Sequence, residues 1–231
     1  MNEAFAAWFP DWSLCRGEFE DGRRESSPVD FPPPVWVDQN GTLTLSRAAS
    51  QNYRLCFEEQ ICVDVRCDDR VVSEVPLSVD IPPSTRDHFL VDQVMPRLLS
   101  QSHQLVLHSG AVCVEDRVVL LLGRSGGGKS TLVTSFQQGG YRLMGDDAVI
   151  VSGGDGLPMA KAIYPSLRLF PDSIQALSLE SRALQAMAHY SSKQRIDVAG
   201  EQVAGPMPVQ AIFVLGSDAP IAVHRLSTPD A

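Results

Sequence analysis

Residues 118–136 read VVLLLGRSGGGKSTLVTSF: an apolar run, four glycines within six positions, a lysine, two hydroxyl residues and a second apolar stretch. Gly123-Arg124-Ser125-Gly126-Gly127-Gly128-Lys129-Ser130 satisfies GxxxxGK[ST] in full. Several backbone N–H groups converge on one polyanion only where side chains do not obstruct them. Glycine supplies that open backbone and the positive-φ conformations of the bend. A helix starting near Lys129 adds its unpaired first-turn N–H groups and the positive end of its dipole. Lys129 brings a mobile cation to the outer phosphates, and Ser130 offers a hydroxyl to Mg²⁺. The pattern therefore predicts a strand over Val118–Leu122, buried on both faces, and a helix through about Gln138 that Gly139-Gly140 stops.

Two further candidates flank the loop. Asp146-Asp147 lies 17 residues beyond Lys129, between two strand-like runs in YRLMGDDAVIVSGG. A phosphate loop of this kind needs a carboxylate beside its Ser/Thr to complete a Mg²⁺ shell. The second Asp accepts a proton from an attacking hydroxyl or orients water; an Asp-Asp turn is the purely structural alternative. His108 stands between the strand-like QLVL and SGAV, where a structurally satisfied ring is the commoner outcome.

Upstream, Ser26–Trp36 reads as a proline-rich connector, and Val35–Ser46 as a hairpin around DQNG. Tyr53–Phe57, Ile61–Cys67 and Val71–Val79 alternate apolar with polar residues, so a small antiparallel sheet is expected over roughly residues 35–80. Ser84 with Asp87 resembles a capping box, and Phe89, Leu90, Val94, Leu98 and Leu99 recur at helical spacing through Ser100. Pro96 inside that pattern predicts a kink or break. Gln104–Leu122 reads as strand, strand, a tight turn at Glu115–Arg117, and strand. Downstream, a helix within Asp172–His189 and strands at Val209–Leu215 and Ile221–Leu226 are expected. The chain divides into an N-terminal segment with a small β subdomain (1–83) and a linker helix with the phosphate-loop domain (84–231). LSTPDA at the end opens like a helix with none behind it, as in a frayed tail or in a chain that stops short of a helical segment, the second being the expectation.

Bulk properties narrow the partners. A length of 231 residues suits one mid-sized domain, with or without a small appendage. A net charge of −9 with no basic stripe argues against nucleic acid and against an anionic membrane surface, so an anionic ligand needs a local, focused site. No leader or membrane-span pattern is present, and a cytoplasmic setting is expected. Cys15, Cys56, Cys62, Cys67 and Cys113 form no CxxC pair and are expected to be reduced.

Several segments, in this order, resemble the HPr kinase/phosphorylase superfamily, and more closely its HPr-kinase-related branch of serine kinases acting on peptides, which includes lasso-peptide tailoring kinases. They are VDQVMPRLLS (91–100), LVLHSGAV (105–112), LLLGRSGGGKSTL (120–132), GYRLMGDDAVIV (140–151) and YPSLRLFPDS (164–173), with weak support from SSKQRIDV (191–198). The resemblance covers roughly residues 88–215. It implies an α/β fold: a core of mixed sheet with flanking helices, like that of phosphoenolpyruvate carboxykinase and HPr kinase, preceded by the small, mostly antiparallel β subdomain. It implies ATP and Mg²⁺ as cofactors, a Ser/Thr hydroxyl of a peptide or protein as acceptor, and a homo-oligomer. Nucleotide is assigned to Gly123, Arg124, Ser125, Gly126, Gly127, Gly128, Lys129, Ser130 and Thr131. Metal goes to Ser130 and Asp147, and catalysis to Asp146 as base with His108 beside it. Arg168 is the candidate for neutralising the transferred phosphate, while Lys193 and Arg195 read as a solvated basic patch. Two departures stand out: Thr131 follows the loop serine where HPr kinases proper carry an acid, and no glycine-rich phosphorylase signature follows. A nucleotide-binding or ATPase module without transfer, and a kinase for a small molecule such as free serine, remain the alternatives.

Overall fold

The structure, a computed structural model, describes residues 3–17, 30–38, 41–48, 51–58, 60–78, 80–153, 156–164, 166–188, 191–198, 202–203, 205–216 and 222–224. It is a mixed α/β structure with few helices. The N-terminal part holds α1 (Glu3–Trp8), β1 (Ser13–Arg16), β2 (Trp36–Val37), β3 (Leu43–Arg47), β4 (Tyr53–Phe57), β5 (Ile61–Arg66) and β6 (Val71–Pro76). These strands form one six-stranded sheet in the order β1-β6-β5-β4-β3-β2. The 35–46 hairpin forms, with Trp36 opposite Leu45. β1 adds to the far edge in parallel with β6, a pairing that the polar N-terminus does not announce.

Cys56 and Cys62 face each other across β4 and β5 and are joined as a disulfide, which corrects the expectation of five reduced cysteines. A tight turn between two antiparallel strands brings a cysteine pair six positions apart into register, and no spacing motif reveals it. Cys15, Cys67 and Cys113 are free.

A helical segment follows: α2 (Pro83–Phe89), a π turn (Leu90–Val94) and α3 (Met95–Gln101). The capping box does not form. Pro82 caps α2 without a side-chain hydrogen bond, and Asp87 pairs with Arg16 instead. The break expected at Pro96 is realised as the π turn, in which the Met95 N–H reaches back to the Leu90 carbonyl. Pro96 has no N–H to give the Asp92 carbonyl, and its ring crowds that group, so a wider turn relieves both problems.

The larger sheet comprises β7 (Leu105–Leu107), β8 (Gly110–Val114), β9 (Arg117–Leu122), β10 (Arg142–Gly145), β11 (Val149–Ser152), β12 (Met159–Ala162) and β16 (Met207–Val214), in the order β10-β8-β9-β16-β12-β11-β7. Only β9 and β16 pair in parallel; the other neighbours are antiparallel. Between β9 and β10, α4 (Lys129–Gln138) lies over β8. Within β9, Val118, Leu120 and Leu121 are buried, whereas Val119 and Leu122 are only partly so. A third sheet, β13-β15-β14, joins β13 (Arg168–Leu169), β14 (Ala183–Ala188) and β15 (Ser191–Ile196). The helix expected within 172–189 is confined to α5 (Pro171–Ala176); 183–188 is strand. Residues 222–224 carry no regular structure, and the rest of the expected 221–226 strand, like the LSTPDA end, lies outside the described residues.

One hydrophobic cluster runs from Phe5, Tyr53 and Leu55 through Phe89, Met95 and Leu98 to Ile150, Ile163 and Tyr164. It ties the N-terminal sheet to the edge of the larger sheet through the helical segment. No helix among the described residues is long and apolar enough to cross a membrane.

Gly110 is where α4 presses closest to β8. A Cβ there would lie 2.4 Å from Cγ2 of buried Val133. Valine has little rotamer freedom to give way. Gly110→Ala is expected to destabilise the chain by about 1–3 kcal/mol, read from the urea midpoint.

Candidate active site

The glycine loop connects β9 to α4. Gly126 and Gly128 have φ of +74° and +83°, and Gly128 occupies the N-cap of α4. A side chain at either position would be strained. Lys129 is buried, and its Nζ donates to the carbonyls of Gly123 (2.9 Å) and Arg124 (3.0 Å). The ammonium is thus held at the mouth of the loop by neutral acceptors. Thr131 Oγ1 lies 3.2 Å from Ser173 Oγ, so the start of α4 is tied to the start of α5.

The Asp pair follows β10, and its two members differ sharply. Asp146 is fully buried, and neither carboxylate oxygen has a hydrogen-bond partner. Burial pushes its pKa up from 3.8 to about 7; the neighbouring Asp147 charge adds to the rise, and the Ser130 hydroxyl, Arg168 and Lys193 oppose it. Ser130 therefore lies near enough to act on Asp146 without completing hydrogen-bond geometry. Asp147 has φ +76°, a left-handed conformation that Asp tolerates better than most residues. Its carboxylate is ion-paired with Arg168 Nη2, while its carbonyl oxygen lies 2.9 Å from His108 Nδ1.

Arg168, at the start of β13, is 3% exposed. Its guanidinium pairs with Asp147 on one side and Asp92, from the π turn, on the other, and it donates to the Tyr164 hydroxyl. His88, one helical turn before Asp92, donates to the same Asp92 oxygen that Arg168 uses. The 3.4 Å approach of His88 Nδ1 to Arg168 Nη1 follows from that sharing. Burial alone would raise the Asp92 pKa, but His88 and Arg168 together hold it well below the carboxylate range. Burial likewise works against the charge of Arg168, yet the neighbouring acidic groups keep its pKa above the ordinary arginine value.

Two cavities meet at this cluster. One, of about 170 Å³, is floored by Ser125, Gly126, Gly128, Lys129, Ser130 and Thr131 and reaches Asp172 and Ser173. The other, of about 540 Å³, opens against the helical segment and includes Asp92, Gln93, Arg97 and Ser100. His108, Asp147, Arg168 and Lys193 line both. The sequence-derived candidates His108, Lys129, Ser130, Thr131, Asp147 and Arg168 thus share one site. Asp146 lies behind the loop and lines neither cavity. Gly123 and Gly127 shape the loop without lining its cavity, and Arg124 contributes a carbonyl to Lys129.

Lys193 does not belong to a solvated patch. It lies at the junction with its Nζ over the Phe170 ring, whereas Arg195 is exposed. Asp92, His88 and Tyr164 were not singled out in the sequence. A lone acid or histidine in an amphipathic helix has the pattern of a solvent-facing charge, and Tyr164 has that of core.

The donor set suits Mg²⁺: a buried carboxylate with two unpartnered oxygens stands near a loop serine. Among the described residues no cluster of three or more His, Cys, Asp or Glu could hold a metal by itself. Phosphate oxygens and water are therefore needed to complete any shell.

No protein-family model and no curated protein matches the chain. Among solved structures it is similar to the Hpr(Ser) kinase/phosphatase from Coxiella burnetii, with 14% identity and a TM-score of 0.33. The alignment covers 48% of this chain and 64% of that one, so the chain spans less than two thirds of that structure.

Two predictions follow from the charges. A carboxyl whose folded pKa is raised costs nothing below its unfolded value near 3.8; the cost grows as pH rises and is complete above about 7. Asp146→Asn, without nucleotide or metal, should therefore match the parent protein in thermal stability near pH 4 and exceed it by a few kcal/mol at pH 8. A gain that does not vary with pH would contradict the buried, unpaired carboxylate. Arg168→Met should cost on the order of 3–5 kcal/mol, because it strands two carboxylates. Adding Asp92→Asn should recover part of that loss in urea titrations.

Proposed function

We propose that this chain is a phosphotransferase that moves the terminal phosphoryl group of ATP, in the presence of Mg²⁺, to the hydroxyl of a serine or threonine in a peptide or protein. The observation that carries this reading is the junction of two cavities at His108, Asp147, Arg168 and Lys193. A transferase needs a donor pocket and an acceptor pocket that share a wall of charge where the group passes. A module that only binds nucleotide has no use for the larger cavity.

The glycine-loop N–H groups and Lys129 would hold the phosphates, with Lys129 Nζ exchanging two carbonyl contacts for charged oxygens. Ser130 and Asp146 would hold Mg²⁺, which supplies neutralisation of phosphate charge. Asp147, facing both cavities, orients the acceptor hydroxyl and takes up its proton. This division of the two acids is the reverse of the one that the family resemblance implies. It rests on the burial of Asp146 beside Ser130 and on the access of Asp147 to both cavities. The ion pair with Arg168 holds the Asp147 carboxylate in place, which suits a loose phosphoryl-transfer transition state in which positioning matters more than early deprotonation. Arg168 and Lys193, which line both cavities, would neutralise the charge that accumulates on the transferred group. His108, hydrogen-bonded to the Asp147 backbone, keeps that residue in its left-handed turn.

The reading is tested by measuring ADP and free phosphate separately, with and without a serine- and threonine-containing peptide library. Transfer gives ADP in excess of phosphate only with acceptor, and Lys129→Ala abolishes both. Asp147→Asn should lower transfer by about 10²-fold or more while nucleotide still binds. Asp146→Asn should remove the Mg²⁺ dependence of nucleotide binding. Equal ADP and phosphate under all conditions would identify a hydrolase, and neither product a binding module.

A further inference from the structure

We propose that the larger cavity selects its acceptor by a carboxylate, which Arg97 receives. The inference rests on the transferase reading and concerns the wall of the acceptor cavity opposite the reacting groups. Arg97, on α3, lines that cavity. Its Nη1 donates to the backbone oxygen (2.7 Å) and side-chain oxygen (3.0 Å) of Gln93, one turn earlier, and its guanidinium carbon lies 5.9 Å from the Trp36 ring centroid. All of these neighbours are neutral. Among the described residues no carboxylate pairs with Arg97. The remaining Nε and Nη2 donors therefore have no protein acceptor there.

This is costly for a half-buried cation. Burial lowers the Arg97 pKa, and the group that would counter this, the Tyr53 phenol, is itself pushed far above its ordinary pKa by burial and stays uncharged. Other arginines among the described residues are compensated by acids: Arg54 pairs with Asp64, Arg86 with Glu74, and Arg168 with Asp92 and Asp147. Arg97 is instead fixed by Gln93 and Trp36 with part of its fork unused, an arrangement that suits two-point recognition of an oxyanion.

The charge count points to a monoanion. Arg97, Arg168 and Lys193 line the cavity against Asp92 and Asp147, which leaves one positive charge apart from the histidines. One carboxylate balances it; a phosphate dianion would overshoot. A cavity of about 540 Å³ accommodates a hydroxyl-bearing residue together with its carboxylate. That carboxylate is either the C-terminus of a chain ending in serine or threonine, an acidic side chain beside the acceptor, or the carboxylate of a free hydroxy amino acid.

The test uses isosteric pairs that differ only in charge: N-acetyl-L-serine against N-acetyl-L-serinamide, an N-acetylated Ser-Glu amide against Ser-Gln amide, and L-serine against L-serinamide. Calorimetric titration gives the affinity of each for the parent protein, Arg97→Gln and Arg97→Lys, and the same mixtures with Mg-ATP are assayed for ADP above free phosphate. Nucleotide affinity is measured alongside as the check that each variant is folded. In at least one pair the acid should bind the parent at least about tenfold tighter than its amide. Arg97→Gln should erase that preference, and Arg97→Lys should keep part of it. The pair that discriminates identifies the source of the carboxylate. Equal affinity within every pair, no binding by any probe, or a preference that survives in Arg97→Gln overturns the proposal. A preference that depends on Arg97 but comes without ADP would leave the anion site standing and remove the transferase reading instead.

Discussion

The buried guanidinium of Arg168 joins three parts of the chain that are distant in sequence. Asp92 comes from the helical segment, Tyr164 from the stretch after β12, and Asp147 from the turn after β10. Hydrophobic contact alone would let these parts slide, because apolar packing has no direction. A guanidinium with fixed donor geometry and two carboxylate partners admits far fewer arrangements. The cost of desolvating this cluster is high, and such ion pairs often add little net stability. What the cluster contributes here is position: it fixes the wall between the two cavities while the apolar cluster around Phe89, Leu98 and Tyr164 supplies the cohesion.

The same physics separates the two adjacent aspartates. Asp147 has the Arg168 guanidinium in contact with its carboxylate. Asp146, one residue earlier, has no partner for either oxygen and is pushed toward protonation. Two neighbouring carboxylates with such different environments can take different tasks. The backbone between these two environments turns left-handed at Asp147.

The glycine loop, its strand and helix, and the Asp pair were legible because each depends on local chemistry: backbone freedom, a helix start, a turn between strands. The N-terminal hairpin was legible for the same reason. Partners set by tertiary contact were not. Nothing in MNEAFAAWFPDWSLCR indicates that Ser13–Arg16 extends a sheet beside Val71–Glu74. Ser84 and Asp87 have the spacing of a capping box, yet Pro82-Pro83 already sets the helix entry, and Asp87 finds Arg16 across the fold. Asp92, His88 and Arg97 occupy positions that helical periodicity assigns to the solvent side. Here that side faces a cavity instead of bulk water, a distinction that a one-dimensional pattern does not contain. Within Asp172–His189 the helix is confined to α5, because 183–188 pairs as β14 with β15, a partner that local pattern does not contain.

A chain of net charge −9 repels anions at long range, yet Lys129, Arg168 and Lys193 line its two cavities. The two facts are compatible because repulsion between exposed charges fades beyond a Debye length of about 8 Å at physiological salt. Inside the cavities the relevant charges are few and close. Lys129 is held against neutral carbonyls, Arg168 is pinned between two acids, and Lys193 sits at the junction. In a partly desolvated cleft each is felt more strongly than the many acids outside it. A focused cluster of cations of this kind needs no basic stripe in the sequence.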